Sequence, residues 1–287
     1  MLLLWVATAT CVIVASLLFI ASLLKIEKVP AKKQGRKRAA LCVGRYASPY
    51  IAPASDHPAF RVRSRGYFSN GKKKVSAGSP IGTFLCAEVF KGSKKHLDIC
   101  SSKHTSWWKS KVSDTSFVFC LVLITADNVH CAVYFEIPMQ CGPLYEKFLL
   151  SRDDDFCNDR FKLIPRLREG PLILRTLIGS RPALLAKKLK FKWCRGERYL
   201  AAYADISTSR VAAGISQLCQ SLSRSFSIDL AILCEGRSDD ELPEKIMGIV
   251  NIDHIDLGAV PSHEQDDGGE DCKLWLGTGL GLGVFTL

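Results

Sequence analysis

The sequence predicts an α+β fold, a largely antiparallel sheet packed with helices and preceded by one transmembrane helix. Three observations carry this. A charge-free apolar run opens the chain, β-branched apolar runs separated by short polar turns fill its centre, and helical and strand periodicities alternate in its C-terminal half.

Leu2 to Leu24 contain no ionisable side chain. As a helix they reach roughly 35 Å against a hydrocarbon core of about 30 Å, so residues 1–24 are expected to form a membrane anchor. A cleaved secretory signal would carry positive charge before its apolar core, and nothing charged precedes this one. The charge follows instead. Lys25, Lys28, Lys32, Lys33, Arg36, Lys37 and Arg38 are opposed by Glu27 alone, which by the positive-inside rule places the rest of a single-pass protein in the cytosol. Residues 25–55 read as a basic, Pro-containing linker, 56–260 as one domain, and 261–287 as a Gly- and Asp-rich tail.

Further along, Phe60 to Arg65 alternates apolar and basic residues at period two, Asn70-Gly71 offers the positive-φ turn of a hairpin, and Lys72 to Lys74 lie on the returning arm. Val118–Ile124 and Val129–Ile137 read as adjacent core strands joined by a short polar turn. Gly142-Pro143 sets up a helix over Leu144–Leu150, with proline at a tolerated first position. Val211, Ile215, Leu218 and Leu222 recur at helical spacing behind the N-cap candidates Ser207, Thr208 and Ser209, while Phe226, Ile228, Leu230 and Ile232 alternate as a strand. Asp239 to Glu244 resembles an acidic helix start, and Val250 to Leu257 an extended segment.

Twelve cysteines are present, and setting aside Cys11 in the predicted span leaves an odd number at irregular spacing, which is no disulfide framework. Cys120, Cys131, Cys219 and Cys234 fall in apolar stretches and are expected to be buried thiols. There is no CxxC pair and the histidines are isolated, so neither a metal nor any other cofactor is expected.

The formal charge of +11 points to an anionic partner. Lys188, Lys190 and Lys192 fall on one face of a predicted strand, with Leu189, Phe191 and Trp193 on the other. This row is either a solvated edge strand or a headgroup contact, and Arg61, Arg63 and Arg65 pose the same choice. Neither patch interleaves exposed aromatics as a single-strand nucleic-acid binder does, so the bilayer, through anionic phospholipid, is the expected partner rather than nucleic acid. No protein partner can be read from the sequence.

Several ordered segments carry a family resemblance. These are Phe60 to Lys74, Asp153 to Pro165, Glu169 to Ile173, Leu185 to Leu189, Arg195 to Leu200, Ala204 to Ala213, Asp229 to Gly236, Glu241 to Glu244 and Ile252 to Leu257. Together they resemble the C-terminal domain of the plant enhanced disease resistance 2 proteins, in its standalone form, over about residues 56 to 260. In that family the domain follows a phosphoinositide-binding pleckstrin-homology domain and a lipid-binding START domain, neither of which is expected here. The resemblance implies membrane association by another means. Where the family tends to carry an acid after Arg-Gly-x-x-Tyr-Leu, this chain has Ala201.

No catalytic residue is expected. GxSxG, HExxH and P-loop motifs are absent, and Gly277, Gly279, Gly281 and Gly283 lie in an apolar tail rather than between a strand and a helix. Asp153-Asp154-Asp155 reads as a solvated turn or helix start, and Asp253 and His254 point apart in an extended segment. The expected function is a non-enzymatic, membrane-anchored lipid-binding or lipid-transfer module, with Lys188, Lys190, Lys192, Arg195, Arg61 and Arg63 near the headgroup. The alternative is a membrane-tethered protein-interaction or regulatory domain without a ligand pocket.

Overall fold

The computed structural model describes residues 47–262 except 93–98, 101–104, 126, 179–181, 183 and 185–188. In chain order its elements are β1 (Ile51–Pro53), β2 (Arg61–Arg63), β3 (Lys74–Ser76), β4 (Thr83–Lys91), β5 (Ser116–Ile124), β6 (Val129–Pro138), α1 (Pro143–Leu150), α2 (Asp154–Arg160), β7 (Phe161–Glu169), α3 (Leu172–Ile178), β8 (Lys190–Arg195), β9 (Tyr199–Asp205), α4 (Arg210–Ser221), β10 (Ser227–Cys234) and β11 (Ile246–Asp253). The α+β class is observed, with sheets that are largely antiparallel.

Five strands form one sheet in the order β4-β6-β5-β9-β8, antiparallel except for the β5–β9 pair. Four form a second, wholly antiparallel sheet, β1-β11-β10-β7. The two pack face to face. Phe119 and Leu121 of β5 meet Leu230 and Ile232 of β10 in a shared core, which α1 extends with Phe148 and Leu149. The sheets approach so closely that a Cβ on Gly248 of β11 would come within 2.2 Å of the Phe135 ring on β6.

Both sheets are covered on their far faces as well. Val118, Cys120 and Val122 point away from the shared core and pack with Tyr134 and Tyr203 under Ile99, Cys100 and Trp107. Burial on both faces explains why Phe117 to Ile124 reads as a continuous apolar run. On the other sheet, Ala231, Leu233, Ile246 and Ile249 are capped by Phe60, Val62 and Ala77 from the β2–β3 hairpin. The hairpin is thus a third layer.

Where elements were expected they are largely found, with five corrections. The hairpin turn is not the dipeptide Asn70-Gly71 but the whole stretch 64–73, folded by positive φ at Gly66, Gly71 and Lys72. Asp239 to Glu244 is no α-helix. It makes one 3₁₀ turn, Asp239–Glu241, before the cis Leu242-Pro243 bond leads into β11. The extended segment ends at Asp253, because His254 takes φ 48°. That turn also overturns the expected divergence of the two side chains: His254 Nδ1 lies 2.9 Å from Asp253 Oδ1. β1 falls in the stretch read as linker, so the packed region begins before Asp56.

The predicted anchor, residues 1–24, lies outside the described residues, as do most of the linker and the tail. Among the described residues no helix is long and apolar enough to cross a membrane. Cys120 and Cys234 are fully buried, and Cys131 and Cys219 are half-buried; no disulfide joins the described cysteines.

Candidate functional site

Four of the segments that carry the resemblance converge at one corner of the molecule, where the β2–β3 hairpin is pinned to the second sheet. Period-two alternation turns Phe60 and Val62 onto that sheet and sends Arg61 and Arg63 outward. Arg63 reaches back to the end of β10: Nη1 donates to the Gly236 carbonyl at 2.5 Å, and Nη2 lies 3.1 Å from Glu235 Oε2. Its amide donates to Glu244 Oε2 at 2.9 Å.

Glu244 is the buried centre of this corner. Its Oε1 accepts from Lys162 Nζ at 2.5 Å and from the Gly236 amide at 3.3 Å, and lies 3.7 Å from Arg63 Nε. Burial pushes the Lys162 ammonium down from its ordinary value, while Glu244 pulls it back up. Beside it Arg160 binds Glu241 and donates to the Glu235 carbonyl at 2.9 Å, and Arg237 pairs with Asp159 at 3.0 Å. Burial works against the Glu241 carboxylate, but the Arg237 amide and the Arg160 guanidinium hold it below its ordinary value. Each of these charges is spent on another, which makes the corner a structural clamp rather than a reactive centre.

The aspartate run is structural in the same sense. Asp153 caps α2 by accepting from the amides of Asp155 and Phe156, and Asp154 pairs with Arg195 at 2.6 Å. Asn158 accepts from the Trp193 indole at 2.8 Å. Among the described residues no group of three His, Cys, Asp or Glu side chains is placed to hold a metal ion. His254 directs Nδ1 at Asp253 and Nε2 toward Glu169, 4.0 Å away.

What the clamp holds out is the hairpin loop. Residues 61–74 contain six basic side chains and no acidic one. Arg63 is neutralised as described; Arg61, Arg65, Lys72 and Lys73 are exposed and Lys74 half-exposed. Phe68, midway round the loop, is 47% exposed. It stands edge-on to Tyr67 at 5.4 Å, with the Arg63 guanidinium 4.9 Å from the Tyr67 ring.

The expected headgroup residues therefore divide. Lys190 and Lys192 are exposed on edge strand β8, with Phe191 and Trp193 turned inward as the alternation required. Arg195 is engaged, donating from Nε to the Ser151 carbonyl at 2.8 Å as well as binding Asp154. Lys188 lies outside the described residues. The structure does not gather these residues into one patch: β8 borders the five-stranded sheet, whereas Arg61 and Arg63 lie on the hairpin layer over the other sheet. Phe68 was missed. Its signal was an aromatic pair inside an otherwise basic turn.

Between the two sheets, where a lipid pocket would sit, Leu121, Val133, Leu230 and Val250 line a void of about 10 Å³. That is room for at most one water, against roughly 300–1,000 Å³ for a ligand pocket. Ala201 is wholly buried in β9, between β5 and β8.

Residues 53–256 match the family model described as Protein ENHANCED DISEASE RESISTANCE 2, C-terminal, and the chain belongs to that family. A curated relative from Arabidopsis thaliana, named Protein ENHANCED DISEASE RESISTANCE 2-like, is 29% identical over 219 residues. The match takes in 74% of this chain but 30% of the relative's length. No solved structure matches.

Proposed function

We propose, with membership of that family as the premise, that the chain is a non-enzymatic module working at an anionic membrane surface, tethered there by residues 1–24 with its domain in the cytosol. The observation that carries this reading is the hairpin with its five exposed or half-exposed cations and no acidic residue. A cation near the cytoplasmic leaflet gains about 1 kcal/mol, so five of them suffice for a salt-sensitive attachment. Lipid is taken at headgroup level, because the void lined by Leu121, Val133, Leu230 and Val250 between the sheets has room for at most one water.

Flotation of residues 45–262 with phosphatidylcholine vesicles, with and without phosphatidylserine, tests the reading, with circular dichroism reporting that the fragment is folded. Binding should need phosphatidylserine and weaken as salt rises. Equal partition onto both kinds of vesicle would count decisively against it.

The small size of that void favours a second reading, an interaction or regulatory domain without a bound ligand. Under that reading the folded fragment carries no co-purifying lipid and ignores vesicle composition.

A further inference from the structure

We propose that the β2–β3 hairpin is the part of the molecule that enters the bilayer, with Phe68 below the headgroups and Arg61, Arg65, Lys72 and Lys73 on the phosphates around it. This rests on the membrane-surface reading above and names the docking surface and its occupant.

Phe68 is an aromatic ring in water, on a loop whose neighbours are basic, while Phe60 and Val62 of the same hairpin are spent on the sheet below and Val75, on β3, is exposed. An exposed ring flanked by cations matches a leaflet that offers hydrocarbon beneath anionic phosphate. An acidic protein surface would satisfy the cations but gives Phe68 no apolar layer to enter. A nucleic-acid backbone has the same shortcoming, and one ring is no stacking platform for successive bases.

The loop is also built in advance. The Asn70 amide donates to the Gly66 carbonyl at 2.8 Å, the Lys72 amide to the Tyr67 carbonyl at 3.1 Å, and the Ser64 hydroxyl to the Lys73 carbonyl at 2.9 Å. Gly66 and Gly71 supply the left-handed conformations the turn needs, with φ of 68° and 57°. A closed loop loses little entropy on docking, and the Glu244 clamp at its base fixes the direction in which it projects. Arg63, held by Glu235 and beneath the Tyr67 ring, positions the aromatic pair rather than meeting lipid itself.

The test is hydrogen–deuterium exchange of the full chain on vesicles of phosphatidylcholine alone and of phosphatidylcholine with phosphatidylserine. Amides of residues 64–73 should exchange about tenfold more slowly on the anionic vesicles. Phe68→Ser and the pair Arg65→Glu with Lys72→Glu should each abolish that slowing; burying or losing one large ring is worth at least about tenfold in partition. Without vesicles, wild type and Phe68→Ser should exchange alike, which establishes that the variant is folded. Equal exchange on both vesicles, or slowing that survives Phe68→Ser, overturns the inference. Slowing at residues 190–195 instead of the hairpin overturns it too but leaves the membrane-surface reading standing, whereas no slowing anywhere removes both. Slowing by polyglutamate and not by lipid would overturn it in favour of an acidic protein partner.

Discussion

Arg63 and Glu244, 181 residues apart in the chain, hold each other in both directions: the Arg63 amide donates to Glu244 Oε2 at 2.9 Å, and the Glu244 amide donates to the Arg63 carbonyl at 3.1 Å. The pairing closes the base of the hairpin against the approach to β11. Lys162, on β7, supplies the buried positive charge that pairs with the Glu244 carboxylate inside the fold, Nζ lying 2.5 Å from Oε1.

From this arrangement the two partners should differ in cost. Glu244→Gln keeps the shape but leaves the Lys162 ammonium buried without a counter-ion, and should destabilise by about 3–5 kcal/mol. Lys162→Met leaves Glu244 with Arg63 and two backbone N–H donors, and should cost about 1–2 kcal/mol. Urea denaturation of the two variants checks the ordering. Equal costs would mean that Glu244 does not depend on its backbone donors.

Two glycines test packing separately from backbone freedom. Alanine at Gly248 would press its methyl into the Phe135 ring and should cost about 1–3 kcal/mol as an overpacked core position. Gly214, in the interior of α4, has open space beside it, so Gly214→Ala should stabilise by about 0.5–1 kcal/mol. Thermal melts should move in opposite directions for the two.

Which elements were legible follows from how locally each is determined. β5, β6, α1 and α4 carry their period within their own residues, so they could be read directly. β7 could not, because Pro165 sits in its middle; it is tolerated there since β7 borders its sheet and the proline needs no partner on the open side. β4 was hidden by a register shift between Phe84 and Cys86 that breaks the alternation, and by Glu88, an acid buried against Ser106 and Tyr134. The basic residues of the site were visible as charge. Which of them are free was not, because the partners that consume Arg63 and Arg195 lie far along the chain, at Glu235 and Glu244 and at Asp154.

That division of the cations predicts a division of phenotypes. Arg195→Ala breaks two contacts of a half-buried side chain and should cost about 1–2 kcal/mol of stability, with vesicle binding by the folded protein unchanged. The pair Lys190→Glu with Lys192→Glu should leave stability within about 0.5 kcal/mol. On anionic vesicles it should weaken binding less than charge reversal on the hairpin does. Denaturation and flotation on the same preparations separate the effects, and a larger loss from the β8 pair would make β8 the principal contact.

The buried thiols predict how stability changes in alkali. Burial pushes the Cys131 thiol from 9.0 up to about 12 and the Cys157 and Cys219 thiols up to about 11. Above pH 9 the unfolded chain gives up these protons while the folded chain keeps them, so the folded state binds more protons and stability must fall as pH rises. Each thiol contributes a slope of up to about 1.4 kcal/mol per pH unit until its folded value is reached. Lys162 opposes this: its folded value lies below 10.5, so the unfolded chain holds the extra proton and stability rises with pH through that window. Urea midpoints at pH 8, 9 and 10 should therefore decline. Cys157→Ala should flatten the decline and Lys162→Met should steepen it, because the first removes a thiol that loses stability with pH and the second removes the group that gains it.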